Sequence, residues 1–141
     1  MVSSISYFKS GVSFRLTKKK ILSNWIQKVA KNEGYKIESI VFVFCSDQAV
    51  LKMNKDFLNH NYYTDILTFD LSENKGKLNG EIYISIDRVL ENAISFKTSF
   101  KRELSRVMIH GILHLMGYDD KTPSKAQKMR QKEDACLSLL K

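Results

Sequence analysis

Residues 100–120 read FKRELSRVMIHGILHLMGYDD, and their spacing predicts a packed helix that ends in a sharp turn. At about 100° per residue, one stripe of this helix carries the apolar and small residues Phe100, Leu104, Val107, Met108, Gly111 and Leu115. The polar residues on the adjoining face, within about 80° of one another, are Glu103, Arg106, His110 and His114. Gly117 permits the backbone turn that ends the helix. The polar groups of an otherwise apolar helix therefore converge on one side.

The segments around this helix show both strand and helix patterns. Apolar, β-branched and aromatic runs predict strands over 5–8, 12–16, 36–45, 66–69 and 81–86, the first two as short strands or a hairpin around Gly11. Helical spacing predicts four further helices, over 17–32, 46–57, 87–95 and 122–140. Their expected N-caps are Thr17, Ser46, Asp87 and Thr122, the last followed by Pro123 in the first helical position. Because the order shows no strict βαβ rhythm, we expect a single α+β domain over residues 1–141, with one small mixed β-sheet packed with helices.

The composition fits one globular domain with a polyanionic partner. The chain has 141 residues, 43% hydrophobic and 11% aromatic, and its 6 Gly and 1 Pro exclude collagen-like, linker-like and disordered classes. The formal net charge of +8 favours nucleic acid or an anionic membrane surface as partner, the alternative being a generically soluble basic protein. No apolar run approaches the roughly 18 residues of a membrane span, and we expect no signal peptide. Cys45 and Cys136 lie far apart without CxxC spacing, so we expect a cytoplasmic protein with two reduced, packed thiols.

His110 and His114 have the spacing of a metal-binding pair. Side chains four residues apart share one face of a helix, so a single ion can meet both imidazoles. A chain that turns at Gly117 can bring Asp119 or Asp120 beneath them, and Asp120 stands where His-x-x-x-His-x-x-Gly-x-x-His sites carry their third ligand. Two imidazoles and one carboxylate leave a coordination position open, which is typical of a catalytic metal. The alternative is two core histidines hydrogen-bonded to the backbone.

The same motif argues against a metalloprotease of the His-Glu-x-x-His type. In those enzymes the residue after the first histidine is the glutamate that acts as general base, whereas here it is Gly111. Glu103 is the candidate substitute for that base. This residue keeps open a second class of function, a metallohydrolase that acts on peptides or small molecules.

Two further segments carry polar residues that are candidates for the cleft. In NYYTDILTFD, residues 61–70, two tyrosines precede Thr64 and Asp65. This block is either ordinary turn chemistry or a polar wall of the cleft, with tyrosines that stack on unpaired bases. Glu133 lies in the apolar stripe of the last predicted helix. It is either a surface side chain or a buried carboxylate paired with Arg106 or with a ring N–H of one of the two histidines.

Basic residues form two groups that are either RNA-binding surfaces or solvated helix faces. The first is Lys18–Lys20, and the second, next to the expected metal, comprises Lys121, Lys125, Lys128, Arg130 and Lys132.

Together these blocks resemble the YbeY-type endoribonucleases, the bacterial rRNA maturation factors. The family pattern T-D-V-L-S-F, then G-D-I-x-I-S, then H-G-x-L-H-L-x-G-Y-D-H is similar to TDILTF at 64–69, GEIYIS at 80–85 and HGILHLMGYDD at 110–120. Met129 and Glu133 match the family too, and the resemblance covers residues 36–140. It implies a metal-dependent, single-strand-specific endoribonuclease that acts in rRNA processing and ribosome quality control.

The chain departs from the family pattern at two places. The family's third metal ligand is a histidine, and Asp120 stands in its place. A carboxylate is an acceptable zinc ligand, although a harder one that widens the choice of metal towards manganese or iron. The family also has an arginine, assigned to the phosphate, in the loop before its first block. Here that loop reads LNHNYYTD without arginine, and His60 or a nearby lysine is the candidate replacement.

We therefore expect His110, His114 and Asp120 to hold one divalent metal, zinc by preference, with Thr64, Asp65 and Glu133 as supporting or cleft residues. Glu103 and His60 are the catalytic candidates. The expected partners are rRNA or other single-stranded RNA and the small ribosomal subunit or its assembly factors, and no membrane. The remaining alternative is a non-catalytic ribosome-assembly factor with a structural metal site.

Overall fold

A computed structural model describes residues 4–140 of the chain. In this range the order of elements is β1 Ser4–Ser10, α1 Lys19–Asn32, β2 Lys36–Cys45, α2 Asp47–Leu58, β3 Ile66–Asp70, β4 Lys77–Ser85, α3 Ile86–Ser95, α4 Phe100–Leu115 and α5 Pro123–Ser138.

The four strands form one mixed sheet in the order β1-β2-β4-β3. Strand β2 pairs in parallel with β1 on one side and with β4 on the other, and β3 pairs antiparallel with β4. The predicted α+β class with a small mixed sheet is therefore confirmed. β1 and β3 are the two edges of the sheet, and β2 and β4 lie inside it.

The sheet has helices on both faces. The larger core joins Phe42, Phe44, Ile82 and Ile84 of the sheet to apolar side chains of α1, α3, α4 and α5. The smaller core, around Val50, joins the opposite face to α2. Helix α4 lies within the larger core and buries 10 of its 16 residues, so it is enclosed over more than the predicted stripe.

Two glycines allow α4 to approach the sheet closely. A Cβ atom on Gly111 would lie 3.0 Å from side-chain atoms of Ile66 and Ile82. A Cβ atom on Gly80 of β4 would lie 2.8 Å from the Phe69 carbonyl oxygen and 3.0 Å from both terminal carbons of Leu115. Gly111, the residue after the first histidine, thus lies where α4 packs against β3 and β4. This close contact sets the distance of His110 and His114 from the sheet.

The expected second strand over residues 12–16 is wrong, and so is the hairpin around Gly11. Residues 12–16 have no regular structure, and β1 pairs in parallel with β2 instead. The physical reason is the Phe14 ring, which packs against Phe44 at 5.1 Å and against Phe100 at 6.0 Å between ring centroids. This contact holds the segment against the core rather than beside β1.

The predicted N-caps are right for α2 and α5 and wrong for α1 and α3. The Ala49 N–H donates to the Ser46 hydroxyl and the Lys125 N–H to the Thr122 hydroxyl, both at 3.1 Å. Helix α1 starts after Lys18, which has φ 58° and makes no side-chain cap, so Thr17 lies outside it.

Asp87 does not cap α3, because the cap is Ser85, two residues earlier than predicted. The Ser85 hydroxyl accepts the Arg88 N–H at 3.1 Å. Asp87 instead accepts the Asp47 N–H at 2.9 Å, which ties the start of α3 to the start of α2.

Other boundaries also differ from the predicted ones. β1 spans Ser4–Ser10 rather than 5–8, and β3 ends at Asp70 rather than at residue 69. β4 starts at Lys77 rather than at residue 81, because its first residues pair with β2 through Lys36 and Ile37. Helix α5 ends at Ser138 rather than Leu140.

The two cysteines are packed and free, as predicted. Burial raises the pKa of the Cys45 and Cys136 thiols to about 11. Among residues 4–140, no helix combines the length and the apolar character that crossing a membrane requires.

Replacing Gly80 by alanine is expected to lower the free energy of unfolding by about 1–3 kcal/mol, because the added methyl group overlaps a backbone oxygen that cannot move without disturbing β3. Urea unfolding followed by circular dichroism measures this. The matched control is Lys77→Ala in the same strand, whose exposed side chain predicts a change within about 0.5 kcal/mol. Equal stability of the two variants would contradict the close-packing argument.

Candidate metal centre

The end of α4 turns back on itself and brings the following aspartates toward the two histidines. Gly117, at φ +99°, occupies the left-handed position after the helix. Its N–H donates to the His114 carbonyl and the Tyr118 N–H to the Leu113 carbonyl, each at 3.0 Å. These two bonds are the Schellman pattern that satisfies the last carbonyls of a helix. The turn predicted at Gly117 is therefore present.

His110, His114 and Asp120 form a group whose nitrogen and oxygen atoms all lie within 4.8 Å of one another. The two histidine Nε2 atoms are 3.0 Å apart. The Asp120 carboxylate lies 3.6 Å from Nε2 of His110 and 3.9 Å from Nε2 of His114. Ligand atoms of a tetrahedral zinc ion are about 3.3 Å apart, so these three side chains form a group that could hold one metal ion.

Asp119, the alternative third ligand, faces other partners. Its carboxylate accepts the Lys121 N–H at 3.1 Å and contacts the Lys125 ammonium at 3.4 Å. The spacing of the motif favoured Asp120 as the third ligand, and in the structure the carboxylate of Asp120, not that of Asp119, faces the histidines.

Glu133 of α5 orients the first histidine. Its carboxylate lies 2.5 Å from Nδ1 of His110 and accepts a hydrogen bond of 2.8 Å from Arg106. Arg106 also contacts Asp134 at 2.5 Å. With Nδ1 donating to Glu133, the lone pair of His110 is at Nε2, which faces His114 and Asp120. Both predicted kinds of partner of Glu133 are therefore present, and Asp134 is a second carboxylate partner of Arg106 that no sequence pattern indicated.

Burial and charge act in opposite directions on this network. Burial disfavours the charged imidazolium of His110, but the hydrogen bond and charge of Glu133, followed by the charges of Asp120 and Asp65, raise the His110 pKa above its usual 6.5. Burial and the neighbouring His110 lower the pKa of His114. Burial favours the neutral form of Glu133, yet the hydrogen bonds from His110 and Arg106 hold its pKa below the usual 4.5. The carboxylate of Glu133 is thus the stable anion of the group.

Two more carboxylates lie beside the group. Burial raises the pKa of Asp65, and the nearby His110 partly offsets this. Glu103 is only 4% exposed, and this burial, followed by the charge of Asp65, raises the pKa of its carboxyl group. Thr64, next to Asp65, donates its hydroxyl to the Ile66 carbonyl at 3.3 Å. Asp65 thus lies near His110, and Glu103 lies near Asp65, Arg106 and Glu133, while the described hydrogen bond of Thr64 is local turn chemistry.

The turn after α4 is anchored by residues from distant parts of the chain. The Tyr118 hydroxyl donates to Glu33 at 2.7 Å, and Lys132 pairs with the same carboxylate at 2.6 Å. The Tyr35 hydroxyl donates to the Met116 carbonyl at 3.2 Å. Sequence reasoning missed Glu33 and Tyr35, because nothing in their local pattern points to a loop more than 80 residues away.

The loop before β3 is exposed. The His60 ring stacks on Tyr62 at 5.1 Å between centroids, so its described contacts are within the loop and not with the metal-binding group. Tyr63 is 45% exposed, and the Arg88 guanidinium lies 5.1 Å from its ring centroid. An exposed aromatic pair therefore precedes Asp65.

Replacing Glu133 by glutamine is expected to lower the free energy of unfolding at pH 7 by about 2 kcal/mol, because an amide cannot accept from both Arg106 and His110 as an anion does. The folded state lowers the Glu133 pKa. The Glu133 carboxylate therefore stabilises the folded protein fully at a pH above its unfolded-state pKa. This stabilisation is lost as the pH falls through its folded-state pKa.

Urea unfolding at a series of pH values measures this. The difference in free energy of unfolding between wild type and Glu133→Gln should decrease as the pH falls below 4.5. The control Glu91→Gln removes a carboxylate that is 70% exposed and should change stability little. A difference that is independent of pH would contradict the proposed role of the Glu133 charge.

Comparison with known proteins identifies the family of the chain. The family described as Endoribonuclease YbeY matches residues 7–141, a longer range than the 36–140 expected from the motifs. A protein from Cytophaga hutchinsonii named Endoribonuclease YbeY is 50% identical over 137 residues, covering 97% of this chain and 96% of the relative. Another of that name from Parabacteroides distasonis is 43% identical, covering 96% and 95%. A solution structure from Thermotoga maritima matches with a TM-score of 0.67 and 29% identity, over 96% of this chain and 88% of that one. The chain belongs to the Endoribonuclease YbeY family.

Proposed function

We propose that this chain, as one domain over residues 1–141, is a metal-dependent, single-strand-specific endoribonuclease that acts in rRNA maturation and ribosome quality control. The observation that carries the proposal is the convergence of His110, His114 and Asp120 in a chain of this family. Their side chains are 18%, 29% and 46% exposed, so the group is held in the fold but open to solvent on one side. A substrate can therefore approach it.

The three side chains fit a divalent metal, and we propose zinc as its identity. Two neutral imidazoles and one carboxylate are a donor set that zinc accepts, and three protein ligands leave room for a further one. When bound, such a metal polarises a phosphodiester oxygen and activates a nucleophile. Glu133 supports this role by holding the proton of His110 on Nδ1.

Other residues of the cleft have supporting roles in this proposal. Half-buried Asp65 and buried Glu103 both have raised pKa values, and they offer one carboxyl group near His110 and a second one near Asp65. Of the two catalytic candidates, Glu103 is buried in α4 near Asp65 and Arg106, while His60 lies on the exposed loop where the family's arginine is absent. Thr64 shapes the turn into β3.

The charge of the chain and its exposed tyrosines support RNA as the substrate. The net charge is +8, and Tyr62 and Tyr63 are 56% and 45% exposed on the loop that leads to Asp65. Unpaired bases stack on such rings, which favours single strands. In the basic group that follows the metal-binding turn, Lys125 and Lys132 have carboxylate partners. We propose rRNA as the RNA, the small ribosomal subunit or its assembly factors as partners, and the cytoplasm as the location.

The metal-binding assignment predicts the metal content of purified variants. Wild type should carry about one zinc per chain, and His114→Ala and Asp120→Ala should lose it. Asp119→Ala, the matched control, should retain it, because Asp119 faces Lys125 instead. Glu133→Gln should bind zinc about 10–100-fold more weakly. Elemental analysis and chelator competition measure these values. Unchanged metal content in Asp120→Ala would show that Asp120 is not a ligand.

The functional proposal predicts chelator-sensitive cleavage of single-stranded RNA. Wild type should cut an unstructured oligoribonucleotide, lose this activity in chelator and regain it with added zinc. His114→Ala should fall to the level of chelated wild type. Asp120→His, which restores the ligand type of the family pattern, should remain active, and Asp119→Ala should behave as wild type. Gel analysis of end-labelled RNA checks all four.

Two results would favour the other functions. Cleavage of an unstructured protein without cleavage of RNA would indicate a metallohydrolase on peptides. Rescue of rRNA processing by His114→Ala, in a cell that lacks the protein, would indicate a non-catalytic assembly factor.

A further inference from the structure

A cavity of about 510 Å³ lies at the β1 edge of the sheet, away from the metal-binding group. It opens between β1, the irregular segment before α1 and the start of α1, and Phe44 of β2 also lines it. Its volume falls within the range of about 300–1,000 Å³ that is typical of ligand sites. The proposed function uses none of its residues.

Aromatic side chains form part of this cavity. Tyr7 stacks on Phe42 with ring centroids 5.5 Å apart, and its hydroxyl hydrogen-bonds Ser23 at 2.8 Å. Phe14 packs edge-on against the core and is half-buried. The rings are therefore held in place by the core while the cavity remains open beside them. Such fixed π surfaces are what unpaired nucleobases stack on.

Three cations surround the cavity. Lys9 lies opposite Phe44 in the β1–β2 register and on the same face of β1 as Tyr7, while Arg15 and Lys19 come from the segment that follows. All three are exposed, and within residues 4–140 none of them forms an ion pair. No acidic residue lines the cavity. Its potential is therefore positive and not neutralised locally.

The start of α1 strengthens this field. The capping position is Lys18, which offers no side-chain hydrogen bond, and the first turn contains no acidic residue. The partial positive charge of the helix terminus thus adds to that of Arg15 and Lys19 on the same side of the cavity. Rings beside unpaired cations match a ligand with a planar base and a phosphate.

We infer that this cavity is a second contact point for single-stranded RNA, in which a nucleotide places its base against Phe14 and Tyr7 and its phosphates near Lys9, Arg15 and Lys19. The inference rests on the proposed function for the class of ligand. Asp65 and the metal-binding group lie beside β3, and the cavity lies at β1. These strands are the opposite edges of the sheet, three inter-strand spacings or about 14 Å apart. An RNA that reaches both sites must therefore be several nucleotides long.

The test is binding of oligouridylate to the metal-free protein in chelator, measured by fluorescence anisotropy over a range of salt concentrations. Oligomers of about 4 and about 16 nucleotides span the site sizes of single-strand-binding domains. The variant Arg15→Ala/Lys19→Ala removes two cavity cations. Lys31→Ala/Lys36→Ala is its control, because it removes the same charge from exposed positions outside the cavity.

For the longer oligomer, Arg15→Ala/Lys19→Ala should reduce the slope of log affinity against log salt by about 1.4, since each phosphate contact of a single strand contributes about 0.7. The control should keep the wild-type slope. Phe14→Leu, which keeps an apolar side chain but removes the ring, should weaken binding about fivefold or more. Circular dichroism confirms that each variant is folded.

Cavity variants that bind the longer oligomer as the control does would overturn the inference, and so would a wild type that binds the longer oligomer no better than the shorter one. These results are separate from the cleavage assay. If RNA is cut while the cavity variants bind normally, the second contact point fails and the proposed function stands. If the cavity variants lose binding but no RNA is cut, the contact point stands and the nuclease fails.

Discussion

The hydrogen bonds to the Glu133 carboxylate are the interactions on which the geometry of the candidate metal centre depends. This carboxylate is a buried anion, and a buried anion requires partners. Arg106 and His110 of α4 supply them at 2.8 and 2.5 Å, so one carboxylate joins α5 to α4 and sets the proton position of His110 at the same time. Asp134 adds a second anion to the same arginine. The geometry at Nε2, where a metal would bind, is thus a consequence of how the last two helices are paired.

The precision of that geometry comes from the core beneath it. Helix α4 is enclosed by the sheet and by neighbouring helices, and Gly111 lets it approach Ile66 and Ile82 without the intervening methyl group that any other residue would add. A closely packed interior resists small displacements. The turn at Gly117 then closes with two hydrogen bonds and is held from outside by Glu33 through Tyr118. Asp120 therefore reaches the histidines from a loop that is fixed at both ends.

The positive charge of the chain is distributed in a way that composition alone does not show. Near the metal centre, several cations have carboxylate partners: Arg106 with Glu133, Lys132 with Glu33, and Lys125 with Asp119. These pairs support the architecture more than they attract a polyanion. At the β1 edge, Arg15 and Lys19 stand beside a cavity without any acidic lining. The cations behind the net charge of +8 are therefore of two kinds, those paired with carboxylates and those free to bind an anionic ligand. Only the folded structure shows which is which.

Local sequence determined the features that depend on local geometry. The period of the α-helix places His110 and His114 on one face whatever α4 packs against, and Ser46 and Thr122 cap their helices through hydrogen bonds that span only three residues. Tertiary structure decided what depends on distant parts of the chain. Residues 5–8 pair with β2 and not with residues 12–16, because the Phe14 ring packs against the core instead of lying in a strand beside β1. The spacing of the motif favoured Asp120 over Asp119, and the fold of the turn directs the Asp120 carboxylate toward the histidines. Residue type and spacing left open whether Glu133 is a buried partner or a surface charge, because that is set by which surfaces meet when the chain closes.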